Sequence, residues 1–180
     1  MTHSHWRLIA LVSLLLTACG KQPAEEAVSK NDRGAVKAAL DQGGDVNAKT
    51  SDGDSLLMQA AKGGQSSSAQ ALIENGADIQ VRDSSGNSAL HYAARNGMTG
   101  ICGLLIDKGL AANDKGEGGA TPLHFAVSAG RQETAKYLVR RGADLDQKDD
   151  AGLSPLDMVT RSGDIRFKGD LEISARMRAN

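Results

Sequence analysis

Three series of glycines run through the chain at one spacing. Gly43, Gly76, Gly109 and Gly142 form the first, Gly53, Gly86, Gly119 and Gly152 the second, and Gly64, Gly97, Gly130 and Gly163 the third, each stepping by 33 residues. No insertion breaks the interval between them. A fixed period of this length marks stacked copies of one supersecondary unit, each burying its apolar face only against its neighbours. Such a chain builds a continuous layered core, not a single central one.

The clearest copy of the unit begins at Thr121-Pro122-Leu123-His124. Thr121 can accept a backbone N–H as a helix N-cap, and Pro122 suits the first helical position, where its missing N–H costs nothing. Gly130 supplies the left-handed residue that ends the helix. Leu123, Ala126 and Val127 stand at i, i+3 and i+4, so one stripe is apolar. Residues 132–141 repeat the device, with Ala135, Leu138 and Val139 inward, Arg140 and Arg141 in the last turn and Gly142 beyond. The polar stretch that follows, up to Gly152, reads as an extended turn projecting from two antiparallel helices. The expected fold class is therefore an all-α repeat solenoid of helix, turn, helix and projecting finger, in about five copies including degenerate end caps.

The unit resembles the ankyrin repeat. The likeness is carried by Thr121-Pro122-Leu123-His124, by the weaker Ser88-Ala89-Leu90-His91 and Ser154-Pro155-Leu156-Asp157, and by Gly76-Ala77-Asp78 and Gly142-Ala143-Asp144. Repeat two departs from the pattern with Ser55-Leu56-Leu57-Met58, and repeat three with Gly109-Leu110-Ala111. The resemblance implies a concave face of fingers and inner helices that binds a protein, with no catalysis. It also implies that His91 and His124 bond locally to hold the turn.

The N-terminal residues are of another kind. Arg7 precedes an apolar run over residues 8–16, too short to span a bilayer and suited to a secretory leader. The run ends Leu16-Thr17-Ala18-Cys19, which looks like a bacterial lipobox and implies a diacylglycerol on Cys19. Gly20 follows, not the aspartate associated with inner-membrane retention, so the periplasmic face of the outer membrane is the expected location. The organisation expected is a leader over 1–18, lipidated Cys19 with a tether to 22, and a repeat domain over 23–180. Its units are 23–52, 53–85, 86–118, 119–151 and 152–180.

Within that domain Glu25, Glu26, Lys30, Asp32 and Lys37 are expected on the solvated face of an N-terminal cap. Gly63, Gly64, Ser66, Ser67 and Ser68 each cost up to about 1 kcal/mol relative to alanine in a helix, so the second helix of repeat two should lean on its neighbours. The second helix of repeat five is expected to lose register, with Asp170 and Glu172 at leucine-type positions. Arg166, Lys168, Asp170, Arg176 and Arg178 then read as a solvated C-terminal cap.

Enzymatic and nucleic-acid readings find little support. Without residues 1–18 the chain carries 20 basic against 22 acidic side chains, so no broad pull on phosphate is expected. His91 and His124 occupy the same position of adjacent repeats, about 8–10 Å apart, too far to share one metal ion without further ligands. Cys102 falls on an inward helical position and reads as packing. The run Gly116-Glu117-Gly118-Gly119 follows no strand and lacks a Gly-Lys-Ser ending, so it reads as a finger, not a phosphate loop. Tyr92 and Phe125 read as packing residues. No cofactor and no metal are expected.

What remains is a surface. Projection of the repeat puts Asp52, Asp54, Ser85, Asn87, Glu117, Asp150 and Leu153 at the fingers, and Lys62, Arg95, Ser128 and Arg161 at one equivalent position of the inner helices. Acidic fingertips over a basic palm would complement a partner carrying both signs. The chain is similar to small exported ankyrin lipoproteins that neutralise lipase or phospholipase toxins delivered by type VI secretion, which implies an immunity protein. The alternative is an envelope scaffold, resembling periplasmic ankyrin proteins linked to oxidative-stress defence and supporting a catalase.

Overall fold

The computed structural model describes residues 23–179, so the expected leader, Cys19 and the tether lie outside the described residues. Ten α-helices follow one another among them: α1 (Pro23–Ser29), α2 (Arg33–Asp41), α3 (Leu56–Lys62), α4 (Ser66–Glu74), α5 (Ala89–Arg95), α6 (Thr99–Asp107), α7 (Pro122–Ser128), α8 (Gln132–Arg140), α9 (Pro155–Ser162) and α10 (Ile165–Ala179). A 3-10 turn covers Glu117–Gly119, and two isolated antiparallel bridges, Lys49 with Ser55 and Arg82 with Ser88, close the bases of two fingers. The helices pair as antiparallel hairpins. Odd-numbered helices stack on one another to form an inner row, and even-numbered helices form an outer row behind it.

The periodic positions explain the stacking. Leu57, Leu90 and Leu123 on the inner row and Leu72, Leu105, Leu138 and Leu171 on the outer row are buried to 1% exposure or less. Between them Ala60, Ala93 and Ala126 are fully buried, and their small side chains let successive inner helices approach closely. Each inner helix turns into its outer partner through a left-handed residue, Gly64, Gly97, Gly130 or Gly163, at φ between 67° and 76°. Repeat one uses Asn31 there, at φ 53°, and asparagine tolerates this region better than most residues.

Asn31 also explains how the serine-rich helix α4 is held. Its Oδ1 accepts the Ser68 N–H at 3.1 Å, and the fully buried Ser68 hydroxyl donates to the Val28 carbonyl at 3.3 Å. The weak helix former leans on repeat one.

Two expectations about the caps are corrected. Glu25 is 4% exposed, and so is not on the solvated face. The last helix does not lose register, because Leu171 takes the position 33 residues after Leu138 while Phe167 and Ser174 are buried beside it. Nor is that cap wholly polar, since Ile165, Ile173 and Met177 are exposed.

Candidate functional site

The concave face is built from the fingers and the exposed ends of the inner helices, and its two halves differ in chemistry. In repeat two the charges neutralise one another. Lys62, at the end of α3, places Nζ 2.8 and 3.0 Å from the two carboxylate oxygens of Asp54 and 3.6 Å from Asp83, with the Tyr92 ring 5.2 Å away. Tyr92 donates its hydroxyl to Asp83 at 2.6 Å, and the Asn87 amide donates to that hydroxyl at 3.3 Å. Burial pushes the Lys62 ammonium down, but the hydrogen bond and charge of Asp54 outweigh it and hold the pKa above the usual lysine value. Asp83 shows the converse: burial pushes it up, and the bonds from Tyr92 and the backbone N–H groups of Asn87 and Ser85 bring it below the usual carboxylate value.

One period further on, the carboxylates are gone. The residues equivalent to Lys62, Asp54, Asp83 and Tyr92 are Arg95, Asn87, Gly116 and Phe125. Arg95 therefore keeps its cation without either acid, beside a ring without a hydroxyl. Arg131, from the turn between α7 and α8, donates Nε to the Arg95 carbonyl at 3.0 Å, which brings a second guanidinium alongside. Arg95, Arg131 and Arg161 are exposed and form no ion pair among the described residues. Arg161 lies in the field of Asp157, whose carboxyl is held low by the Ser154 N–H and hydroxyl. Arg95, Arg131, Phe125, Ser128, Asp149 and Met158 border an open hollow of about 560 Å³. Phe125 is fixed edge-on by His91 and Tyr92, with centroids 5.2 and 6.3 Å away.

The finger positions divide accordingly. Asp52, Ser85, Glu117 and Asp150 are exposed, and Ser128 is exposed with its hydroxyl bonded to the Phe125 carbonyl at 3.0 Å. Asp54 is half-buried and engaged by Lys62. Leu153 is half-buried, with its carbonyl 3.1 Å from His124 Nε2. Asn87 is a correction: it is fully buried, because the next finger folds over it and the Glu117 N–H donates to its Oδ1 at 3.0 Å. It cannot touch a partner. Acidic tips and a basic palm are likewise not separate layers in repeat two, where Asp54 and Lys62 pair. Arg131 and Met158 were not among the projected residues. Arg131 follows the phase glycine Gly130, and only the folded turn carries it to the palm.

The two histidines and the cysteine serve the scaffold. The N–H groups of Ser88 and Thr121 lie 3.1 and 3.0 Å from Nδ1 of His91 and His124, so Nδ1 is the acceptor and each ring carries its proton on Nε2. Those protons reach the carbonyls of Asp114 and Leu153 at 3.2 and 3.1 Å, tying each helix start to the next finger. Cys102 is buried against the stack, and burial pushes its thiol up to about 12. Among the described residues no group of three or more His, Cys, Asp or Glu side chains is placed to hold a metal ion, and no helix is long and apolar enough to cross a membrane.

A stack of helical hairpins whose fingers and inner helices line one open face has the architecture of a binding module. The chain belongs to the ankyrin-repeat family: the family model described as ankyrin repeats (3 copies) matches residues 8–83, 24–115 and 57–149. Membership implies a protein partner. No curated protein sequence matches the chain.

Proposed function

We propose that this chain is a lipid-anchored envelope protein, without catalysis of its own, that holds one protein partner against the C-terminal half of its palm. The observation that carries the reading is the contrast within that palm: Lys62 is neutralised by Asp54 and Asp83, whereas Arg95 and Arg131 form no ion pair among the described residues and border the hollow of Phe125 and Met158, with Arg161 exposed at the equivalent position two repeats after Arg95. Unpaired guanidiniums beside an aromatic ring form the kind of cluster that dominates interface energetics.

The partner best matched to this arrangement is a lipase or phospholipase toxin delivered into the envelope by type VI secretion, which the chain would neutralise as an immunity protein. Support comes from the lipobox-like Leu16-Thr17-Ala18-Cys19 and from its distance to the repeats, since α1 begins at Pro23. A domain so close to its anchor, at the periplasmic face of the outer membrane, stands where an enzyme must work on phospholipid. The domain boundaries proposed above follow the same reading, with the leader removed before Cys19.

The test is capture from the envelope of the native host with the wild-type chain, an Arg95→Glu/Arg131→Glu/Arg161→Glu variant and a Lys62→Glu variant. Retention of one lipase-like protein in equal amount, lost from the triple variant, is the expected result. Retention of a catalase, or of several resident envelope proteins alike by all three chains, would replace the immunity reading with the scaffold.

A further inference from the structure

The last helix carries a pattern that the stack does not use. Around Gly169 the sequence reads Ile165-Arg166-Phe167-Lys168-Gly169-Asp170-Leu171-Glu172-Ile173. It is a chemical palindrome with its charges inverted: isoleucine stands four residues either side of the glycine, cations at three and one before it, and carboxylates at one and three after it. Phe167 and Leu171 point into the core, 5% and 0% exposed, whereas Ile165 is 83% exposed, Ile173 52% and Met177 68%.

At about 100° per residue, Ile165, Gly169 and Ile173 lie on one outward ridge within about 40° of its centre, and Met177 extends it by a turn. Arg166 and Asp170 flank this ridge on one side, and Lys168 and Glu172 on the other. Arg166, Lys168 and Glu172 form no ion pair among the described residues, and Asp170 has only Lys136, at 3.9 Å. A Cβ added to Gly169 would meet nothing, so the outer surface there is open.

We infer that α10 is a self-association surface, on which two copies of this chain pair antiparallel about a two-fold axis at Gly169. An isologous contact must be self-complementary, and this one is. Ile165 of each copy faces Ile173 of the other at the same height. On one flank Arg166 approaches the second copy's Asp170, and on the other Lys168 approaches its Glu172, each within about two residues of rise. The absence of a side chain at Gly169 lets the axes come close, and Arg176 overhangs the end of the contact into water. One helix face per copy covers less than the roughly 800 Å² per partner of a standard interface, so the dimer forms in a concentration-dependent way. The pairing is independent of what the palm holds.

Sedimentation of the full chain from about 5 μM to 1 mM tests it. We expect monomer to give way to dimer, and Lys168→Glu to weaken the dimer by about tenfold or more through like charges facing each other. The exchange Lys168→Glu/Glu172→Lys restores the opposite pairing and with it the dimer. Gly169→Gln, which replaces a poor helix former at an open position and so keeps the monomer folded, also weakens the dimer. Monomer at every concentration, or a dimer indifferent to both Lys168→Glu and Gly169→Gln, overturns the inference. So does binding to phosphatidylglycerol vesicles by a chain that stays monomeric and loses that binding on Ile173→Asp, since lipid would then be the occupant of this face.

Discussion

Gly116→Ala tests how the fingers are held to the helices. A Cβ at Gly116 would sit on Oδ1 of Asn87 and 2.9 and 3.1 Å from Nε2 and Cδ2 of His91. Neither neighbour has room to move, because both side chains are fully buried. Asn87 Oδ1 holds the Glu117 N–H at 3.0 Å, and His91 Nε2 is bonded to the Asp114 carbonyl at 3.2 Å. Displacing Asn87 strands a buried carbonyl and a backbone N–H, at about 1–3 kcal/mol for an unsatisfied group, and overpacking adds about 1–3 kcal/mol. The expected loss is about 3 kcal/mol, read from urea denaturation followed by far-UV circular dichroism. Gly118→Ala is the control. Gly118 has φ 59° and open space around it, so alanine there bears only the left-handed backbone cost of about 1 kcal/mol. If Gly118→Ala destabilised the protein as much as Gly116→Ala, contact with Asn87 and His91 would not be the reason this position is glycine.

Three further outcomes are expected. Burial lowers the His91 pKa from 6.5, and its Nδ1 already accepts the Ser88 N–H, so the folded protein disfavours the imidazolium. The unfolded chain then binds the proton first: stability is complete above the unfolded value and declines as pH falls below about 6.5. The denaturation midpoint should fall as pH drops below about 6.5, with a smaller slope in His91→Gln; equal slopes would remove His91 from the account. Cys102, pushed up to about 12, should resist iodoacetamide at about pH 8 in the folded protein and react after denaturation, as read by peptide mass mapping. Ser68→Val should destabilise the protein by about 1–3 kcal/mol, because it removes the donor to the Val28 carbonyl within a buried contact; a neutral change would mean that α4 does not depend on repeat one for its hold.

The sequence was most readable where its period speaks alone. Three glycine phases located the turns, and Leu72, Leu105 and Leu138 located the outer core. The same arithmetic points to Leu171, but the charges around it gave the impression of lost register. Charge on the flanks of a helix says little about the residue between them. The palm was less readable for a physical reason. Whether Lys62 is free depends on Asp83, 21 residues later, and whether Asn87 is exposed depends on how the next finger lies over it. Both are decided by how a finger folds back over residues 21 to 30 positions earlier, which the helical periodicity does not contain.

That dependence also accounts for the unequal palm. Lys62 is neutralised because carboxylates stand at 54 and 83, whereas the equivalents that would neutralise Arg95 are Asn87 and Gly116. Asn87 is committed to the finger backbone and the Tyr92 hydroxyl. Gly116 admits no side chain at all, since even a Cβ meets Asn87 and His91. The contacts that bind finger three to its helix thus exclude both acids from the places where they would quench Arg95. The fold keeps that guanidinium unpaired through its own packing, and Arg131, bonded to the Arg95 carbonyl, adds a second charge at the same point. Asp149 borders the same hollow, but its Oδ1 accepts the Ala151 and Leu153 N–H groups and it pairs with neither guanidinium, so both cations stay open to a partner's carboxylate.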